Sequence, residues 1–190
     1  MFYNLKKLIN NALVKLTGYQ IRKVIKKVDY LKDEPYLDKE FLKICDKIEK
    51  IYKHNCVTET NYTAFITTKN IINQNLQGCF VECGVFKGEK ISIFLETLKY
   101  LNVKNRNIYL IDTFEGMTEP SELDYQVVDG SKMNKNDMLG TIKEVKKNII
   151  NTDYPLDNIK FVKIDVRSTE KLKNSIQENI ALLRLDTDFY

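Results

Sequence analysis

The sequence predicts an α/β fold, in which helices cover a sheet of parallel strands, and three observations lead to it. From Gly78 onward, four short apolar runs alternate with three helical patterns. Each run ends at or near an acidic residue. No internal repeat or Pro/Gly cluster divides the 190 residues, of which 43% are apolar. Strands that alternate with helices in this way pair in parallel through right-handed crossovers, as in a doubly wound sheet.

Helical patterns fill the chain before Gly78. After Pro35, the apolar residues of one helix recur at helical spacing, and those of the next lie between Asn61 and Gly78. The positions are Leu37, Phe41, Ile44, Ile48 and Ile51 in the former, and Tyr62, Phe65, Ile66 and Ile72 in the latter. Residues 1–77 are therefore predicted to be helical throughout.

Residues 1–32 form a basic leader, with eight Lys or Arg residues against Asp29 alone. Its apolar residues recur at helical spacing with lysines between them: Leu5, Leu8, Ile9, Leu13 and Leu16. The favoured interpretation is a solvated helix docked on its own domain, or a mobile leader. The alternative is a peripheral helix that lies on an anionic membrane surface or against a partner.

The four apolar runs have the character of strands buried on both faces. They are Cys79–Cys83, Ile108–Ile111, Ile159–Ile164 and Ile180–Leu185. Of the three connecting helices, the first opens at Gly88, and the third is capped by Ser168 and runs to about Gln177. The second has four apolar residues on one side: Met138, Ile142, Val145 and Ile149. The loop Thr118–Lys135 is predicted to be a lid over a ligand site or else disordered.

Composition excludes several classes of protein. No stretch approaches the roughly 18 unbroken apolar residues of a membrane span, and the N-terminus lacks the apolar region of a secretion signal. The four cysteines include no C-x-x-C pair, and His54 is the only histidine, so a zinc module does not fit. With 26 Lys and only 4 Arg, nucleic-acid recognition has little support. We expect a cytoplasmic protein with reduced thiols, in which Cys79 and Cys83 pack as small apolar residues.

Four carboxylates lie at or near the ends of the predicted strands: Glu82, Asp112, Asp165 and Asp186. In a doubly wound sheet, ligands bind beyond these ends. The turn from Glu82 to Gly88 has an acid before its first glycine, whereas a phosphate site excludes carboxylates there. Such a turn suits a ligand with a cationic amino group, and Asp112 can accept hydrogen bonds from a ribose, which indicates S-adenosylmethionine. Plain turn chemistry for the two glycines remains the alternative.

Four stretches of the chain together resemble the macrocin O-methyltransferase family, of the TylF/MycF/NovP type. They read FVECGVFKGEKISIFLETL, IYLIDTFEGM, FVKIDVRSTEKL and IALLRLDTDFY. The family consists of class I enzymes with a Rossmann-like sheet that use S-adenosylmethionine to methylate sugar hydroxyls. The resemblance spans Thr58 to Tyr190, so it implies a methyltransferase domain over residues 58–190 and a helical N-terminal extension over residues 1–57.

The resemblance also implies the residues of the site. Those expected to bind the cofactor are Glu82, Gly84, Val85, Gly88, Asp112, Thr113, Phe114, Asp165 and Val166. In the family, the aspartate that matches Asp186 binds a divalent metal, usually magnesium, beside the acceptor hydroxyl. Asp186 is therefore the candidate catalytic residue and metal ligand, with Asp188 as a second ligand. For Asp165 and Asp186, the alternative is that each only caps the following helix.

Two features depart from the family pattern. Glu89 and Lys90 stand where the family has a glycine and a serine, and the chain stops at Tyr190, before the strands and the Asp-Asp pair that complete the family's metal site. We expect an incomplete methyltransferase with weak cofactor binding and little turnover.

The predicted partner is a small molecule or glycan that carries a hydroxyl, with a homo-oligomer as a further option. The alternative functions are a NAD-linked or nucleotide-sugar enzyme and a non-enzymatic binding module.

Overall fold

The computed structural model describes residues 37–117 and 138–187. Within these ranges the helices are α1 (Lys39–Tyr52), α2 (Glu59–Asn73), α3 (Glu89–Tyr100), α4 (Ile142–Ile149) and α5 (Thr169–Ser175). The strands are β1 (Cys79–Cys83), β2 (Ile108–Asp112), β3 (Ile159–Lys163) and β4 (Ile180–Leu185). Two 3-10 turns, Ile150–Thr152 and Leu156–Asn158, connect α4 to β3.

The four strands form one parallel sheet in the order β3-β2-β1-β4. The chain builds outward from β1 through β2 to β3, then crosses back to place β4 on the other side of β1. The connections therefore diverge at the carboxyl ends of β1 and β4, which is where open α/β sheets bind their ligands. The predicted α/β fold with a parallel sheet and covering helices is confirmed.

Both faces of the central strands β1 and β2 are covered, as their apolar residues require. Phe80 and Leu110 face the larger core, to which α1, α2, α3 and α4 contribute. Cys79, Val81 and Cys83 face the opposite way, into a smaller cluster beneath α5. The two cysteines are almost fully buried, which confirms that they pack as small apolar residues. Side chains therefore alternate across β1, and Glu82 lies on the side of the larger core with Phe80.

Helix α1 is part of the larger core. Its apolar stripe buries Phe41, Ile44 and Ile48 completely or almost so. On its solvent side, Lys47 donates a 2.9 Å hydrogen bond to Glu96 of α3. The helices that precede the sheet thus pack directly on the βα unit, and the predicted domain boundary at residue 57 stays a prediction.

The start of α4 differs from the sequence expectation. Met138 was expected on one side of this helix, but it lies before it in a left-handed turn with φ +57°. The helix begins after Thr141, whose side chain accepts a 3.2 Å hydrogen bond from the backbone N–H of Glu144. A threonine N-cap defines a helix start better than an apolar residue one turn earlier, because it satisfies an otherwise unpaired N–H.

Helix α5 is also shorter than expected, since it ends at Ser175, and the side chain of Ser168 makes no capping hydrogen bond. The leader helix, the lid predicted over Thr118–Lys135, and Asp188 lie outside the described residues. Among the helices of residues 37–117 and 138–187, none combines the length and apolar character that a bilayer crossing needs.

Candidate functional site

A cleft of about 250 Å³ opens at the carboxyl edge of the sheet. Each strand contributes to it through the residues at its end or just after it. These are Gly84 and Phe86 after β1, Asp112 and Thr113 of the β2 end, Asp165, Val166 and Arg167 after β3, and Asp186 and Thr187 after β4. Ile111, Gly116, Met117, Met138 and Ile164 complete the walls. Apolar walls with a few convergent polar groups are typical of a small-molecule site.

Gly84 lets β1 and β4 approach each other at the floor of this cleft. Its φ is +84°, and a Cβ atom there would lie 1.9 Å from the backbone oxygen of Asp186. The approach is fixed by the ladder, since the Asp186 N–H donates to the Cys83 oxygen at 2.9 Å. Glycine is the residue that combines this backbone conformation with this contact.

Asp112 holds the β1–α3 turn in place. Its Oδ2 accepts hydrogen bonds from the backbone N–H groups of Val85, at 2.7 Å, and Phe86, at 3.2 Å. Its Oδ1 accepts from the N–H of Phe114 at 2.8 Å. The aspartate therefore organises two loops while its side chain remains part of the cleft wall. A carboxylate with these backbone donors is also fixed in the orientation it presents to a ligand.

Asp165 sits on the opposite wall and is engaged by Arg167. The Nε of Arg167 donates to Oδ1 of Asp165 at 3.0 Å, and its backbone N–H donates to the same oxygen at 2.9 Å. The side-chain hydrogen bonds hold the pKa of Asp165 below its ordinary value. Asp165 thus stays ionised at neutral pH, and the planar guanidinium of Arg167 forms part of the cleft rim.

Glu82, Arg184 and Asp186 form a line from the core to the cleft. Glu82 is 2% exposed, and its Oε1 accepts a 2.8 Å hydrogen bond from Arg184. The other terminal nitrogen of Arg184 donates to Oδ2 of Asp186, which is half-exposed at the cleft. Burial raises the pKa of Glu82 to about 8, and the Arg184 guanidinium opposes that rise.

The structure divides the predicted site residues into two groups. Six of them line the cleft together: Gly84, Asp112, Thr113, Asp165, Val166 and Asp186. The other four described ones lie behind the lining: Glu82, Val85, Gly88 and Phe114. Gly88 is the N-cap of α3 with φ +86°, and a Cβ there would contact Val145 at 3.0 Å. Phe114 is buried with its ring 5.9 Å from that of Phe161.

Sequence reasoning missed several residues of the site. Phe86, Arg167 and Thr187 line the cleft, and Arg184 anchors its carboxylate edge. Arg184 carries a signal in the sequence, because a lone arginine inside an apolar strand needs a buried partner. Glu82 is the acid on the neighbouring strand, but pairing the two requires the strand order, which a sequence does not state.

Magnesium does not fit the described residues taken alone. No group of three His, Cys, Asp or Glu side chains in residues 37–117 and 138–187 is arranged to hold a metal ion. Asp186 is paired with Arg184, and Asp165 with Arg167. A guanidinium beside a carboxylate occupies an oxygen that a hard cation would need.

Comparisons with known proteins agree with this architecture. The solved structure of the O-methyltransferase NovP superimposes with a TM-score of 0.55 at 21% identity, over 68% of this chain and 53% of that one. The calicheamicin methyltransferase CalS11 gives a TM-score of 0.52 at 17% identity, over 84% of this chain and 72% of that one. At these identities, the two structures support the fold.

Sequence comparison goes further. Demethyldecarbamoylnovobiocin O-methyltransferase of Streptomyces niveus is 27% identical over 126 residues, which are 64% of this chain and 47% of the relative. The chain thus spans about half the length of this curated relative. The model of the macrocin-O-methyltransferase (TylF) family matches residues 63–190, from within α2 through β4. On this match over most of its length, the chain belongs to the macrocin-O-methyltransferase (TylF) family.

Proposed function

We propose that the chain is the cofactor-binding part of an S-adenosylmethionine-dependent O-methyltransferase whose acceptor is a hydroxyl of a sugar or a glycosylated small molecule. The observation that carries the proposal is the cleft itself. It opens at the switch point of the sheet, it is lined from all four strand ends, and the chain belongs to a methyltransferase family. The acceptor class is proposed by analogy with the Streptomyces niveus relative, an O-methyltransferase named for demethyldecarbamoylnovobiocin.

The residues of the cleft fit a nucleoside. Ile111, Ile164 and Val166 offer apolar surface for a planar base, and Asp112 and Thr113 offer oxygen atoms for the ribose hydroxyls. The Gly84 backbone lies on the cleft floor without a side chain, so the amino acid end of the cofactor can approach the main chain closely. In this proposal Glu82, Val85, Gly88 and Phe114 support the cofactor site from behind its lining.

The cofactor would supply a methyl group on a good leaving group, so the protein mainly has to align the acceptor and take up its proton. Asp186 is the candidate for the proton, because its carboxylate is half-exposed at the cleft edge. Magnesium, with Asp186 and Asp188 as ligands, remains an expectation from the resemblance. No step here depends on it, since the described residues do not form its site.

Isothermal titration calorimetry of the 190-residue chain tests the proposal. S-adenosylhomocysteine should bind, and NAD should not, because the turn after β1 lacks the G-x-G-x-x-G pattern of a dinucleotide-binding turn. Thr113→Val removes a hydroxyl from the cleft wall and should weaken the binding of S-adenosylhomocysteine severalfold. Thr63→Val, on the exposed side of α2, is the matched control and should leave binding unchanged. Binding of NAD with no response to S-adenosylhomocysteine would overturn the proposal.

A further inference from the structure

The central strands carry an acidic and a basic side chain side by side. In the ladder between β1 and β4, Glu82 is the direct partner of Arg184, so both side chains leave the sheet on the same face. Glu82 is 2% exposed, and the side chain of Arg184 is 21% exposed. A buried carboxylate beside a largely buried guanidinium is costly to desolvate, and such a pair is kept where its geometry serves a purpose.

The guanidinium of Arg184 reaches two carboxylates at once. One terminal nitrogen donates to Oε1 of Glu82 at 2.8 Å, and the other donates to Oδ2 of Asp186. Asp186 lies two positions after Arg184, directly past the end of β4, and this spacing places both side chains on the same side of an extended backbone. The planar fork of arginine can satisfy two such acceptors in fixed directions, which a lysine ammonium cannot do.

Glu82 itself does not reach the cleft. It is absent from the cleft lining, and among the described residues its Oε2 is a buried oxygen without a hydrogen-bond partner. Its other carboxyl oxygen, Oε1, accepts the hydrogen bond from Arg184. A buried polar oxygen left unsatisfied is rare and costs stability, so it calls for a functional explanation.

We propose that Arg184 is a positioning residue, anchored on Glu82, that fixes the carboxylate of Asp186 at the mouth of the cleft. Glu82 then acts on a ligand only through Arg184, rather than by touching it. The proposal rests on the proposed function, because it assigns Asp186 a ligand in that cleft. It adds two residues, Arg184 and Glu82, whose effect is to orient a third.

A carboxylate held at the cleft should distinguish two ligands that differ by one charge. S-adenosylmethionine carries a sulfonium cation, whereas S-adenosylhomocysteine has a neutral sulfur at the same place. A fixed negative group nearby favours the cation, and a loss of positioning weakens that preference without affecting contacts to the rest of the nucleoside. The ratio of the two affinities therefore reports on Asp186, and general damage to the site would lower both equally.

Calorimetry with both ligands on the wild type, Arg184→Lys, Asp186→Asn, the double variant and one control provides the test. Arg184→Lys keeps the charge but removes the fork, and should reduce the preference for S-adenosylmethionine about fivefold. In the Asp186→Asn background, Arg184→Lys should produce no further change, because the residue it acts through is gone. Lys99→Met is the matched control: it removes an ion pair with Asp153 on the helical side and should leave the ratio unchanged.

The unliganded protein gives a second readout. Arg184→Met leaves the Glu82 carboxyl buried without its partner and should lower the Tm by about 10 °C, and Glu82→Gln in that background should restore part of the loss. The carboxyl ¹³C resonance of Asp186 should shift in Arg184→Lys. The proposal would be overturned if Arg184→Lys lowered the affinity for both ligands equally, or if it still changed the affinity ratio in the Asp186→Asn background. It would also be overturned if the Tm and the Asp186 resonance did not change. If the wild type binds neither ligand, the proposed function fails, and the melting series and the resonance still decide the role of Arg184.

Discussion

Gly84 is the residue on which the shape of the cleft floor depends. Replacing it with alanine places a Cβ atom 1.9 Å from the Asp186 oxygen in a backbone conformation with φ +84°. Since neither backbone can move without breaking the β1–β4 ladder, we expect Gly84→Ala to lower the free energy of unfolding by about 3 kcal/mol or more. Urea unfolding measures this. The neighbouring Cys83→Ala, which removes only a sulfur atom from the smaller core cluster, should cost clearly less, and equal stability of Gly84→Ala and wild type would contradict the contact.

Glu82 predicts a pH dependence of stability. Its pKa in the folded protein is about 8, raised by burial from an ordinary value of 4.5, so the folded state holds the proton more tightly than the unfolded state does. This contribution to stability is complete below about pH 4.5 and is lost as the pH rises through 8. The free energy of unfolding of the wild type should therefore fall between pH 5 and pH 8 relative to Glu82→Gln.

Urea unfolding at several pH values, with the exposed Glu170→Gln as the control, checks this dependence. The control should follow the wild type across the range. Parallel curves for the wild type and Glu82→Gln would show that the buried carboxyl does not titrate as expected.

At the scale of elements, the β1–α3 turn is held from behind by two helices. The hydroxyl of Tyr52, at the end of α1, lies 3.1 Å from both the Lys87 oxygen and Oγ of Ser92. Asn148 of α4 donates to the same Lys87 oxygen at 2.9 Å. The turn that forms one wall of the cleft is thus connected to α1, which precedes the sheet, and to α4, which lies between β2 and β3.

Tyr52→Phe tests this connection. The ring and its packing stay, while the hydroxyl contacts with the turn are lost, so we expect about 1 kcal/mol less stability and severalfold weaker binding of S-adenosylhomocysteine. Tyr62→Phe is the matched control, because Tyr62 makes ring contacts with Phe41 and Phe65 in the same helical layer. A Tyr52→Phe variant that binds as well as the control would show that α1 does not support the turn.

The sequence predicted elements well where a local signal marked them. Cys79–Cys83 and Ile180–Leu185 were placed to the residue, because apolar runs of strand length with a glycine or acid at the end are unambiguous. The predicted start of α4 at Met138 is wrong. The helical spacing of apolar residues extends N-terminally beyond Thr141, the cap after which the helix begins. Local patterns therefore locate the elements better than they locate helix ends.

At the scale of the whole molecule, β4 has apolar side chains that nothing in the described residues covers. Leu183 and Leu185 are 54% and 68% exposed, and within the described ranges β4 pairs only with β1. An exposed apolar strand at a sheet edge invites association with other chains. We expect the 190-residue chain to self-associate as its concentration rises, and the Leu183→Lys/Leu185→Lys variant to remain monomeric in sedimentation velocity.

Leu156→Lys provides the control for this prediction, since Leu156 is 43% exposed in the 3-10 turn before β3, at the opposite side of the sheet from β4. It should associate as the wild type does. A wild type that stays monomeric at high concentration would contradict the role of the strand.

The site was only partly predictable from the sequence. The carboxylates at strand ends could be located, because parallel strands deliver their ends to one edge, and Asp112, Asp165 and Asp186 do meet at the cleft. What these side chains bond to was not predictable, since Arg167 and Arg184 engage them through contacts that depend on turn geometry and strand order. The roles assigned to the cleft residues stay predictions.

A crystal of the chain soaked with S-adenosylhomocysteine provides the most direct test of the proposed cofactor site. We expect density for the nucleoside in the cleft, with its ribose against Asp112 and Thr113 and its base between Ile111 and Val166. Density elsewhere on the molecule, or a cleft that remains filled by solvent at saturating ligand, would rule out this site.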